Sequence, residues 1–212
     1  MSKALLTEHA VTIRLKDVSV NRDLTIQLPP AGTQRVSQPQ KRQIMYIRPL
    51  EPHEVSLHCE VRLRALRDAP NAFAETFADA EAQPASYWET LTRSVTEPGP
   101  QVMFLACEGE AVCGSTYGLL NQEKCDGGRV GGMWVDPAWR RQGIGRVLLQ
   151  AVCAWARQRG LKRLGLWAPV HSPAAIALYR QAGFHETGRR RPLPTNPSLQ
   201  IVEMACELSS QK

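Results

Sequence analysis

No apolar run in these 212 residues approaches the roughly 20 residues that a membrane-spanning helix needs, so no membrane segment is expected. The first ten residues also lack the long apolar centre of a secretory signal. Cysteine is present at Cys59, Cys107, Cys113, Cys125, Cys153 and Cys206, yet no two form a C-x-x-C pair. That spacing offers no zinc site, and most of the six lie in apolar runs. Reduced thiols in a cytoplasmic protein, with no bound metal, are the expectation. There is no G-x-x-x-x-G-K-[ST] signature, which leaves a nucleoside-triphosphate loop unsupported. Hydrophobic residues make up 43% and charged residues 22%, ordinary for one globular core with an extension.

The formal charge is +6, and much of the excess sits in the N-terminal 43 residues. Elsewhere the densest basic cluster is Arg189, Arg190 and Arg191, which precedes Pro192. Such a cluster can bind nucleic acid or an acidic substrate, but a solvated turn is the commoner use. No interleaved aromatics or zinc spacing accompany it, so no nucleic-acid partner is expected.

Residues 130–145 carry the most informative pattern. A short apolar strand at Met133, Trp134 and Val135 ends at Asp136-Pro137. The loop Arg140-Arg141-Gln142-Gly143-Ile144-Gly145 follows, and it opens a helix. Ile144, Val147, Leu148, Ala151, Val152, Trp155 and Ala156 recur at helical spacing and give that helix one apolar face. Gly160 is a natural stop, with Arg157 and Arg159 in the last turn. A glycine-rich loop before a helix presents backbone N–H groups and the positive end of the helix dipole to an anion. Gly143 and Gly145 would let a phosphate approach the backbone, and Arg140, Arg141 and Arg146 would add charged donors. The order is R-x-x-G-x-G rather than G-x-G-x-x-G, and it lies far from the N-terminal strand of a dinucleotide fold.

After the helix, residues 162–168 read as a strand with Leu164 and Leu166 on one face. Residues 171–184, H-S-P-A-A-I-A-L-Y-R-Q-A-G-F, read as a short helix. Ser172 is a suitable N-cap and Pro173 a suitable first residue. Ala175, Leu178, Tyr179 and Ala182 share one face, and Gly183 ends the helix.

On these residues the chain resembles the GCN5-related N-acetyltransferases, over roughly residues 44–208. In that family the R/Q-x-x-G-x-G/A loop binds the pyrophosphate of acetyl-coenzyme A, and the A-x-x-L-Y-x-x-x-G-F pattern supplies a tyrosine near the cofactor sulfur. The first is matched by Arg140 to Gly145, the second by Ala175, Leu178, Tyr179, Gly183 and Phe184. The resemblance implies acetyl-coenzyme A as co-substrate, held by Met133, Trp134, Val135, Arg140, Arg141, Gln142, Gly143, Ile144, Gly145 and Arg146. Ser172 stands where many members carry an asparagine that contacts the pantetheine arm. Direct attack by an amine in a ternary complex is implied, with Tyr179 as general acid. A packed aromatic with its hydroxyl at the surface is the structural alternative for Tyr179. The implied fold is α/β, a central mixed, mostly antiparallel twisted sheet flanked by helices. A homodimer is a further expectation from the family.

Glu203, the only acid in the apolar run 201–206, is one candidate base; Glu75, Asp79, Asp136 and His171 are others, and water alone would suffice. A small-molecule amine is the expected acceptor. A lysine or α-amine of a protein is the second reading, and a non-catalytic acetyl-coenzyme A sensor is the third.

Residues 1–43 read as an extension, with short strands at 11–20 and 24–28 and a Pro/Gln-rich linker at 34–43. The extension is expected to be dispensable to a domain spanning 44–212, with Met45 as a natural start; a dimer-forming arm is the rival reading. A first strand is expected at 44–50. Helix one is expected at 52–67, with Val55, Cys59, Leu63 and Leu66 on one face. A turn-rich stretch over 68–84 precedes helix two at 85–95, with Trp88 and Leu91 inward. A hairpin should turn at Gly109-Glu110, and a last strand should run over 199–208.

Overall fold

The computed structural model describes residues 25–26, 45–120 and 127–208. Eight strands form one sheet in the order β1-β2-β3-β4-β5-β6-β8-β7. They are β1 (Thr25–Ile26), β2 (Met45–Pro49), β3 (Gln101–Glu108), β4 (Ala111–Leu120), β5 (Gly127–Val135), β6 (Arg163–Pro169), β7 (His185–Leu193) and β8 (Asn196–Glu207). Every pairing is antiparallel except β5 with β6. The expected hairpin is present, with Gly109 at φ 58° in its turn. The expected strands at 11–20 and the linker at 34–43 lie outside the described residues.

Side-chain alternation sorts the sheet into two faces. Val102, Phe104 and Ala106 of β3 join Leu148, Val152 and Trp155 of α4 (Ile144–Gln158) in one core. Val202 and Met204 of β8, and Tyr179 of α5 (Pro173–Gln181), belong to that same core. Met103, Leu105 and Cys107 of β3 face the other way. They meet Val61 and Leu66 of α1 (Val55–Asp68) and Trp88 and Val95 of α3 (Ala85–Thr96). Two apolar faces, each covered by helices, make a layered α/β domain.

Five local expectations are corrected or extended. On α1 the expected face holds, with Leu66 buried and Val55, Cys59 and Leu63 packed partly against the core, and it extends to the fully buried His58, Val61 and Ala65. A count of apolar residues overlooks a histidine whose two ring nitrogens are both satisfied. The stretch 68–84 contains a short helix, α2 (Phe77–Glu81), whose first turn is capped by Thr76 accepting from the Asp79 N–H. Arg189, Arg190 and Arg191 lie on β7, not in a turn, and β8 starts at Asn196 rather than near 199. Ala182 is the exposed C-cap of α5 and is not part of its buried face.

Candidate active site

Strands β5 and β6 pair only at Gly127 with Arg163, Gly128 with Leu164 and Arg129 with Gly165. Beyond those residues they part, although β5 continues to Val135 and β6 to Pro169. Backbone groups on the facing edges there have no strand partner, so a V-shaped cleft opens inside the sheet. Such an edge is a row of donors and acceptors for an extended ligand.

Each parted strand leads into a helix on the same face. After β5, Asp136 caps a one-turn 3₁₀ segment (Pro137–Trp139) through the Ala138 N–H, and the chain then enters α4. Arg141, at φ 65°, and Gly143, at φ 83°, are both left-handed. Left-handed residues in a turn can gather successive N–H groups around one point. Gly143 is the N-cap of α4 and supplies no side-chain cap, so the first-turn N–H groups are left to an outside acceptor. A Cβ on Gly143 would meet nothing within 4 Å, so this N-terminus opens to space. Geometry and dipole together fit a phosphate-bearing group here.

The two glycines of the loop have different reasons to be there. At Gly143 the backbone angle demands glycine. At Gly145 a Cβ would stand 3.0 Å from Leu178 Cδ2, so its smallness allows α4 and α5 to pack side by side. Arg140 also departs from the expected use. Its Nε donates to the Val135 carbonyl at 3.0 Å, and its guanidinium pairs with Asp68 of α1. Asp68 additionally accepts from the Trp134 indole at 2.9 Å. Arg140 thereby braces the loop against α1, whereas the exposed side chains of Arg141 and Arg146 have no ion-pair partner among the described residues.

Met133 and Val135 pack partly against the α4 core, while Trp134 is buried on the opposite face. Ile144 is buried, so only its backbone can meet a ligand. Gln142 is exposed and reaches back weakly to Ala138 O at 3.4 Å. Ser172 occupies the N-cap of α5, but its side chain makes no capping bond. Tyr179 is buried beside Phe184, and among the described residues its hydroxyl has no hydrogen-bond partner. Burial pushes its phenol pKa up, so it stays protonated. The hydroxyl itself reaches the surface, since among the described residues Trp155 Nε1 is the fully buried polar side-chain atom left without a partner.

Glu203 alternates with Val202 and Met204, and so faces the α1–α3 side of the sheet, opposite Trp167 of β6. It accepts from Thr187 Oγ1 at 2.6 Å and pairs with Arg189 at 3.4 Å. Asp136 is tied to Arg64 at 2.6 Å. His171 and Asp79 are exposed. Glu75 is half-buried, with one carboxylate oxygen held by two Arg62 donors at 2.8 and 2.9 Å. A cavity of about 390 Å³ beside Val170, Pro173, Ile176 and Arg180 contains none of these residues.

Sequence pattern missed a polar chain on the α1–α3 face. Buried His58 bonds Thr92 Oγ1 through Nδ1 at 2.9 Å and Tyr117 Oη through Nε2 at 2.7 Å. Burial lowers the His58 pKa to about 4, with Arg62 acting in the same direction. Also unforeseen is a bridge at the open end of the cleft. Thr195 Oγ1 of the β7–β8 turn donates to Phe73 O at 2.8 Å, and Asn196 reaches Asn71 at 3.3 Å. No sequence signal marks contacts between residues more than 120 positions apart.

Comparison with known proteins gives a consistent set of matches. The model of the Acetyltransferase (GNAT) family matches residues 63–184. An aminoglycoside N(6')-acetyltransferase type 1 of Stenotrophomonas maltophilia is 38% identical over 109 residues, which is 48% of this chain and 70% of that protein. The ribosomal protein bS18-alanine N-acetyltransferase of Escherichia coli is 45% identical over 62 residues, 29% of this chain and 42% of the relative. Among solved structures, a spermidine N-acetyltransferase from Vibrio cholerae in complex with CoA and spermine aligns with a TM-score of 0.64 at 15% identity, covering 78% of this chain and 96% of that one.

Proposed function

The chain belongs to the acetyltransferase (GNAT) family, and from that membership we propose that it moves an acetyl group from acetyl-coenzyme A to a primary amine of a small molecule. One observation carries the proposal. The parted β5 and β6 strands have an anion-binding helix N-terminus on one face and a polar, carboxylate-containing surface on the other. Cofactor and acceptor can therefore meet through the cleft from opposite sides.

In this reading the N–H groups at the start of α4, with Arg141 and Arg146, hold the pyrophosphate. The open edge of β5 near Met133, Trp134 and Val135 binds the pantetheine arm and polarises the acetyl carbonyl. Reaction joins the amine nitrogen to the acetyl carbon and breaks the carbon–sulfur bond. The nitrogen loses one proton and the sulfur gains one. Tyr179, protonated and without a partner, supplies the proton to sulfur. Glu203, on the far face, takes the proton from nitrogen, by way of water because Thr187 and Arg189 already engage its carboxylate.

The bridge from Thr195 and Asn196 to Phe73 and Asn71 favours a compact acceptor, since it closes the open end of the acceptor face. A protein α-amine is the second reading, favoured by the 45% identity to the bS18-alanine enzyme over 62 residues. Initial rates of thiol release with an aminoglycoside, a polyamine and an alanine-initiated peptide separate the two. Faster release with either small amine is expected; a clear preference for the peptide would overturn the small-molecule assignment.

A further inference from the structure

The hydrogen bonds of the Thr92–His58–Tyr117 chain run in one of two directions, set by which ring nitrogen of neutral His58 carries the hydrogen. With the hydrogen on Nε2, Thr92 Oγ1 donates to His58 Nδ1. His58 then donates that Nε2 hydrogen to the Tyr117 oxygen. In that direction the Tyr117 hydrogen is left over and points away from His58. Burial holds Tyr117 protonated, and Arg62, Glu75 and Tyr87 are the other ionisable groups close enough to act on it.

Placement gives that hydrogen a use. Tyr117 sits on β4 where the register with β5 shifts, opposite Gly131 and next to the unpaired Gly132. Gly132 has φ 56°, and a Cβ on it would lie 2.4 Å from the Tyr117 ring. The tyrosine therefore fills the space over the irregular part of β5, within the segment that β6 leaves unpaired. Tyr117 is only partly buried, whereas His58 and Thr92 behind it are fully buried.

We infer that Thr92, His58 and Tyr117 form a one-way donor chain that fixes the Tyr117 O–H as a hydrogen-bond donor to the acetyl carbonyl oxygen, on the acceptor face of the cleft. This rests on the acetyl-transfer reading. A donor aimed at an oxygen that gains negative charge during attack accelerates the step without changing its own protonation. Tyr117 is then the catalytic residue of the set, and His58 and Thr92 are positioning residues. Because all three are neutral around neutral pH, the chain adds no limb to the pH profile.

Difference infrared spectroscopy of carbonyl-labelled acetyl-coenzyme A bound to the full chain tests this without turnover. The carbonyl stretch should lie lower when bound than when free, and Tyr117→Phe should move it back up with little change in cofactor affinity. Turnover in Tyr117→Phe should fall on the order of 100-fold. His58→Gln, which keeps an N–H to donate, should retain the wild-type frequency better than His58→Leu. If Tyr117→Phe does not fold, that His58 pair carries the same comparison. A bound carbonyl unaffected by these variants overturns the donor chain and leaves acetyl transfer standing. Failure of the wild type to bind the cofactor at all overturns both.

Discussion

Replacing Gly143 by aspartate separates the folding role of the α4 N-terminus from its binding role. The residue sits at φ 83° with open space around a new Cβ, so no clash arises. A left-handed L-residue costs about 1–2 kcal/mol, with aspartate among the more tolerant types. A carboxylate beside the positive end of a helix returns roughly 0.3–1 kcal/mol. Net destabilisation should therefore be near 1 kcal/mol. Binding changes much more. A carboxylate placed about 4 Å from a phosphate oxygen costs about 4 kcal/mol at an effective dielectric of 20. Halving that for salt screening still weakens binding by roughly 30-fold for each phosphate charge that it meets. Titration calorimetry with acetyl-coenzyme A, run beside a thermal melt, should show a shift of only a few degrees and an affinity loss on the order of 100-fold or more. Unchanged affinity, or a loss no larger than the unfolding explains, would refute an anion seat at Gly143.

Tyr179→Phe should lower kcat by at least about 100-fold while cofactor affinity stays within a few-fold, because only proton donation to the leaving sulfur is removed; steady-state rates beside titration calorimetry read the split. His58 gives a stability signature. Its folded pKa near 4 lies below the ordinary 6.5, so the unfolded chain takes up the proton first as the pH falls. Its contribution is complete above pH 6.5 and is lost on descending towards pH 4, by roughly 3 kcal/mol in all. Urea melts across that window should show His58→Gln with a shallower pH dependence than wild type. Gly132→Ala should destabilise by more than Gly143→Ala, since both residues have positive φ but only Gly132 would drive a Cβ into a tyrosine ring; paired denaturation curves decide it.

Elements that depend on local chemistry were legible in the sequence. The α4 helix reads from its apolar spacing, and its start reads from Gly143. The α5 helix reads from Pro173 and Gly183. The hairpin at Gly109 reads from its turn residue. What escaped depends on residues that meet only in the fold. Arg140 resembles a phosphate ligand until Asp68 of α1 is seen to hold it. Gly145 resembles a phosphate-approach glycine until Leu178 is seen against it. His58 breaks the apolar pattern of α1, and its partners come from α3 and β4. Even the parting of β5 and β6 leaves no mark in either strand, because both remain extended and apolar after their pairing ends.

The most direct test is to load the full chain with acetyl-coenzyme A in a calorimeter and then follow thiol release on adding a small primary amine. Tight cofactor binding, no release before the amine and stoichiometric N-acetylated product after it are the predicted results. Absence of binding, or binding with no product from any amine, would contradict acetyl transfer as the work of this cleft.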